Sequence, residues 1–134
     1  MHSFLIISSD IQSRNDYIGE FCKKHHIHSL DKTSITSEKA LGIEEIRTLQ
    51  KTVFLKPFKS KQKLIVIENV DTATIQTQNA LLKLLEEPPQ HTIMLLTAKT
   101  EQTILPTVLS RCTIIHLEEK QELSEELLAK TKKQ

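Results

Sequence analysis

The sequence predicts an α/β domain, a parallel five-stranded sheet with helices on both faces. Three observations carry that expectation. Short β-branched runs alternate with longer stretches of helical period, each run is apolar almost without a break, and the chain is too short for two cores. A strand covered on both faces reads as a continuous apolar run, whereas a half-exposed strand alternates. At 134 residues the chain can bury a substantial core and reads as one domain.

The elements follow in order. "SFLIIS", Ser3 to Ser8, is the first strand, after which Ile11, Ile18, Phe21 and Cys22 recur at helical spacing. From His25 to Leu41 the chain is polar and irregular, with one short strand expected at Thr33 to Ile35. Ile43, Ile46, Leu49 and Val53 mark a second helix, and "KLIVIE", Lys63 to Glu68, the next strand. Asp71 is read as the N-cap of a helix over Thr72 to Glu86. Ile75, Leu82 and Leu85 turn toward the sheet, with Leu81 and Leu84 widening that face. Pro88 and Pro89 end the helix because they have no amide proton to give it. "TIMLLT", Thr92 to Thr97, and "CTIIHL", Cys112 to Leu117, complete the sheet. From Glu118 the sequence reads as a charged helix or tail with Leu123, Leu127 and Leu128 on one side. The expected organisation is a module over 1–117 and a tail over 118–134.

Eighteen Lys and Arg against 17 Asp and Glu leave a formal charge of +1, so no global field calls for nucleic acid, and such binding must be local. Cys22 and Cys112 lie far apart, and His25, His26 and His28 read as a solvated loop. No metal is expected, and the cysteine usage fits a reduced, intracellular protein. The start, "MHSFLIISSD", has neither a basic leader nor a membrane-length apolar run. A cytoplasmic protein without membrane contact is expected.

In sheets of this kind ligands bind at the carboxyl ends of the strands, and the first strand-to-helix turn is the usual phosphate site. Here that turn is "SSDIQSRN", Ser8 to Asn15. A phosphate loop needs glycines so that backbone amides can wrap the phosphates, a lysine to reach them, and a following Ser or Thr for magnesium. The chain has two glycines, Gly19 and Gly42, and neither lies in this turn. Arg14 stands near the lysine position but is followed by Asn15, and Asp10 puts a negative charge where polyphosphate would sit. The expected reading is an ordinary turn capping a helix. The stretch "IVIENVD" has the form of a Walker B strand, in which one carboxylate holds magnesium and its neighbour orients water. Glu68 suits the first role, but Asn69 cannot act as a carboxylate base. No nucleotide cofactor is expected on this chain.

"GIEEIRTLQKTVFLKPFKSKQKLIVIENVD", "QNALLKLLEEPP" and "ILPTVLSRC" together resemble the ATPase-like module of bacterial DNA polymerase III clamp loaders, most closely the delta-prime type, with tau/gamma subunits as the nearest relatives. The string from Asn79 to Pro89, placed between the acid-ended strand and "LSRC", is the most specific part. The resemblance implies a three-layer P-loop NTPase-like (AAA+) domain. It also implies that Ser110, Arg111 and Cys112 form the motif whose arginine is offered as a finger to ATP on an adjacent subunit. A guanidinium suits that task because it is permanently charged and forked. Counting back from "LSRC", Ala98 or Lys99 stands where ATP-hydrolysing relatives carry a polar sensor residue. Phosphate loop, catalytic acid and sensor are thus all degenerate, as in a non-hydrolysing delta-prime-like subunit. The lid and collar domains and the cysteine-rich zinc module of the relatives are expected to be absent. Partners implied are tau/gamma-type and delta-type subunits, the sliding clamp, and primer-template DNA within the assembly.

"KTVFLKPFKSKQK" carries Lys51, Lys56, Lys59, Lys61 and Lys63 without an intervening acid. It reads either as a charged loop entering a strand or as a set of phosphate contacts, with Lys56, Lys59, Lys61 and Lys63 the DNA-binding candidates. Asn79 either faces a partner or caps a nearby turn. Two functions follow: a subunit of the DNA polymerase III holoenzyme that takes part in clamp loading and DNA replication by presenting Arg111, itself not an enzyme; or a free-standing interaction or DNA-binding domain derived from such a module.

Overall fold

The computed structural model describes residues 2–36, 40–52 and 55–117. Val53, Phe54 and the expected tail from Glu118 lie outside them. Five parallel strands form one sheet in the order β2-β3-β4-β1-β5. They are β1 (Ser3–Ile7), β2 (Lys32–Ile35), β3 (Lys63–Ile67), β4 (Thr92–Ala98) and β5 (Thr113–His116). The helices are α1 (Ile11–Lys24), α2 (Ile43–Thr52), α3 (Ile75–Glu86) and α4 (Pro106–Leu109), with one-turn 3-10 helices at Ser29–Asp31 and Val70–Thr72.

The apolar runs resolve into two cores because successive strand side chains point to opposite faces. Leu5, Ile65, Ile67, Met94 and Leu96 meet Ile46 and Leu49 of α2, Leu81, Leu84 and Leu85 of α3, and Val108 of α4. On the other face Ile6, Leu64, Val66, Ile93 and Leu95 meet Ile18 and Phe21 of α1. That division makes the three layers: α1, the sheet, then α2, α3 and α4. The central strand β4 is buried along its whole length, while the edge strand β2 is mostly exposed, and its sequence "KTSI" is correspondingly polar.

Three helix details differ from the expectation. Helix α3 begins at Ile75, with Thr74 as the N-cap whose hydroxyl accepts from Thr77 N at 3.1 Å. Asp71 lies instead in the preceding 3-10 turn, its carboxylate accepting from Lys99 N at 3.3 Å at the end of β4. Ile75 does not reach the sheet, and neither does Ile11; each is the first residue of its helix and is exposed. A first-turn side chain lies over the turn before its own Cα, here the exposed cap, so it gains nothing from the core behind. Their places on the buried faces go to Arg14 in α1 and Gln78 in α3.

Candidate functional site

The turn from β1 into α1 is closed on itself. Asp10, the N-cap of α1, accepts from Gln12 N at 3.2 Å and from Ser13 Oγ at 2.6 Å, and its own amide donates to Ser8 Oγ at 3.1 Å. A capping carboxylate thus uses a first-turn amide and the positive end of the helix that a bound phosphate would otherwise use. Ser8 extends the ladder, its amide donating to Ala98 O at 3.0 Å.

Arg14 does not point out of this turn. It is 4% exposed, and its Nη1 donates to Asn69 Oδ1 at 3.3 Å. Asn69 adopts the left-handed conformation, φ 59° and ψ 45°, which asparagine tolerates better than most residues. Its amide donates to Thr97 Oγ1 at 3.3 Å, and its carbonyl accepts from Thr72 Oγ1 at 2.6 Å. The two residues expected at the phosphate-lysine and catalytic-acid positions are therefore in contact with each other. Glu68 is half-buried beside them in sequence, with its amide donating to Ile35 O at 3.0 Å. Of the two residues expected at the sensor position, Ala98 is fully buried and Lys99 is exposed. The second oxygen of Asp71, Oδ1, is buried without a hydrogen-bond partner among the described residues.

Arg111 lies at the other end of the sheet. It stands just before β5, whose first residue Thr113 is in register with Phe4 near the start of β1, whereas Ser8 follows the end of β1. At about 3.3 Å per residue, the length of β1 puts roughly 15 Å between the two levels. The guanidinium is fixed from two sides. Nη1 donates to Thr107 O at 2.9 Å, and Nη2 forms an ion pair with Glu86 Oε1 at 3.1 Å. Ser110 is the C-cap of α4 and its hydroxyl also donates to Thr107 O, at 3.0 Å. Cys112 is buried in the core under α4, and burial pushes its thiol up to about 11, so it packs and does not act as a thiolate.

A polar clamp that the pattern reading passed over holds this segment. Gln78, 2% exposed, donates from Nε2 to Thr103 O at 2.9 Å and to Ala73 O at 3.2 Å, and its Oε1 accepts from Leu105 N at 2.8 Å. Its position three residues before Leu81 and seven before Leu85 already put it on the buried face. Asn79 beside it is exposed.

The basic loop sits at the starting edge of the sheet, where Lys63 N donates to His91 O at 2.7 Å, and not with Arg14 and Asn69. Lys56, Lys59 and Lys61 are exposed, next to the exposed side chains of Leu55 and Phe58. Lys63 is half-buried; burial lowers its pKa, and the charge of Asp31 raises it. Asp31 supplies the acid that the local sequence lacks. Its carboxylate accepts from the amides of Phe58, Lys59 and Ser60, the last two at 2.8 and 2.6 Å. Burial acts to raise its pKa, but these amides and the Ser60 hydroxyl outweigh it and hold the group down at about 2.

Of the histidine cluster, His26 and His28 are exposed as expected, and only His25 departs from a solvated loop. His25 is half-buried and stacks on Phe21 with ring centroids 4.2 Å apart, and His28 Nδ1 accepts from Leu30 N at 3.0 Å. No group of three or more His, Cys, Asp or Glu side chains among the described residues converges on one point. None of the described helices is long and apolar enough to cross a membrane.

The family model described as "DNA polymerase III, delta subunit" matches residues 3–121. A DNA polymerase III subunit delta' from Buchnera aphidicola subsp. Baizongia pistaciae is 36% identical over 93 residues, 69% of this chain and 28% of the relative. A DNA polymerase III subunit gamma from Buchnera aphidicola subsp. Acyrthosiphon pisum is 35% identical over 101 residues, 75% of this chain and 27% of the relative. This chain therefore spans little more than a quarter of the length of either. Among solved structures, a gamma subunit-related protein of Thermotoga maritima superposes with a TM-score of 0.80 at 26% identity, covering 92% of this chain and 43% of its own. The Bacillus subtilis clamp loader delta protein shares the fold, with a TM-score of 0.65 at 10% identity, covering 92% of this chain and 40% of its own.

Proposed function

The chain belongs to the DNA polymerase III delta-subunit family of clamp-loader AAA+ proteins, and on that premise we propose that it is a non-hydrolysing, delta-prime-like subunit. Its part in sliding-clamp loading is to present Arg111 to ATP held by a tau/gamma-type neighbour. The observation that carries this reading is the separation of two features. At the carboxyl edge of the sheet, Arg14 and Asn69 bond to each other and Asp10 caps α1, so the groups that would grip a nucleotide are engaged in holding the domain together. At the opposite edge Arg111 stands exposed. A guanidinium there is too far from its own turn to serve it, and its exposure supports a role toward a molecule outside the chain.

The chemistry asked of Arg111 is electrostatic. Charge spreads over the transferred phosphoryl group in the transition state, and a forked cation stabilises it without moving a proton. The remaining roles are binding ones. Residues 1–117 form the module that docks on tau/gamma-type and delta-type subunits in the cytoplasm, with the sliding clamp and primer-template DNA as partners of the assembly. Lys56, Lys59 and Lys61 add phosphate contacts at its starting edge.

A second reading, a free-standing DNA-binding or interaction domain, is favoured by the exposed Phe58 and Leu55 among those lysines. The two separate in one experiment. The full chain is combined with the tau/gamma-type subunit of its organism, and DNA-stimulated ATP hydrolysis is measured for wild type and Arg111→Ala. Stimulation that falls by about tenfold or more in the variant supports the finger; equal rates, or no association, support the second reading.

A further inference from the structure

We propose, building on the reading of Arg111 as a finger, that Glu86 is the positioning residue that aims it. The two groups belong to different elements, Glu86 ending α3 and Arg111 following α4, and they meet at 3.1 Å. With Nη1 held by Thr107 O at 2.9 Å, the ion pair fixes the second arm of the guanidinium fork and so sets its plane. An unrestrained arginine samples many rotamers, and a group that holds it in one before the phosphate arrives removes that search from the reaction.

Helix α3 is suited to the task because it braces the same segment twice. Gln78 holds the entry to α4 through Thr103 O and Leu105 N, and eight residues along the helix Glu86 holds the arginine that leaves it. Eight residues of helix span about 12 Å, so both ends of the 103–111 segment are referred to one rigid rod. Glu86 also lies at the helix C-terminus, where the backbone carbonyls add to the negative potential that attracts a guanidinium. Glu87 caps the helix after it, and Pro88 and Pro89 follow. The pair is accessible to solvent, with Arg111 and Glu86 side chains 36% and 45% exposed. Pairs of this kind add little to folding, so the effect is to be read in the rate and not in stability.

The test uses the full chain in complex with a tau/gamma-type subunit, with steady-state ATP hydrolysis as the readout. Glu86→Ala is expected to lower kcat about threefold to tenfold, with KM, subunit affinity and thermal midpoint unchanged. Glu86→Gln keeps an acceptor for Nη2 and is expected to restore most of the rate. Glu86→Ala combined with Arg111→Ala is expected to be no slower than Arg111→Ala alone. A Glu86→Ala complex as fast as wild type, or faster because the carboxylate competes with phosphate, overturns the proposal while leaving the finger intact. A silent Arg111→Ala overturns the finger reading and this one with it.

Discussion

Arg14 and Asn69, 55 residues apart in sequence, are joined by a 3.3 Å hydrogen bond between Nη1 and Oδ1. The bond ties the first turn of α1 to the end of β3 at the edge where related folds bind phosphates. It gives a nearly buried guanidinium its side-chain acceptor among the described residues. It also fixes a left-handed residue, so two costs meet at position 69.

Substitutions at Asn69 separate those costs. Asn69→Ala removes the acceptor and puts a Cβ residue without a local hydrogen bond at φ 59°, and is expected to cost about 3 kcal/mol. Asn69→Gly removes only the acceptor and is expected to cost about half as much. Asn69→Asp keeps an acceptor, adds charge, and is expected to match wild type. Urea unfolding of the three variants checks the order; equal losses for Ala and Gly would remove the backbone contribution from the account.

Asp31 predicts a pH dependence. Its pKa is lowered from 3.8 to about 2 in the folded chain, so the folded state binds its proton less readily than the unfolded state. The stability it contributes is present above the unfolded value and is lost as pH falls through the folded one. Asp31→Asn is therefore expected to be less stable than wild type at neutral pH, because an amide accepts fewer of the three backbone donors. The gap should narrow between about pH 4 and pH 2. Denaturation midpoints for both proteins across that range test this; a gap that widens on acidification contradicts the assignment.

The layers were legible because the signal for them is local. Each strand lies within about two residues of its apolar run, and the parity of "KLIVI" or "TIMLL" already sorts side chains between the two cores. The polar contacts were not, because their partners are remote in sequence. Nothing near "KPFKSK" announces Asp31, 27 to 29 residues upstream, and nothing near "LSRC" announces Glu86. Two buried polar groups were within reach of the pattern: Arg14 is four residues before Ile18 and seven before Phe21, and Gln78 is three before Leu81 and seven before Leu85. The helix starts misled because cap and first-turn residues share the apolar spacing without sharing the burial, as at Ile11 and Ile75.

Gln78→Leu keeps most of the volume and discards the hydrogen bonding. Ala73 O, Thr103 O and Leu105 N all lose their side-chain partner, and the expected loss is about 3 kcal/mol. The loss should be uneven along the chain. Amide exchange is expected to accelerate from residue 103 through α4, where Gln78 is the brace, with smaller changes in β1 and β4. Uniform acceleration would mean that the clamp serves the whole core and not this segment.

Arg111→Lys discriminates between charge and shape at the proposed finger. Lysine retains the cation and much of the reach, but not the fork by which Nη1 meets Thr107 O while Nη2 meets Glu86. If the site needed only a positive potential near the neighbour's phosphates, the variant would keep most of the stimulated hydrolysis. If the guanidinium must hold two directions at once, it should resemble Arg111→Ala in rate, and the latter is expected here. Both variants should unfold within about 1 kcal/mol of wild type, because a pair this exposed contributes little to stability. A large loss of stability in either would show that Arg111 is a structural residue of this chain, and the rate measurements would then report unfolding instead of catalysis in trans.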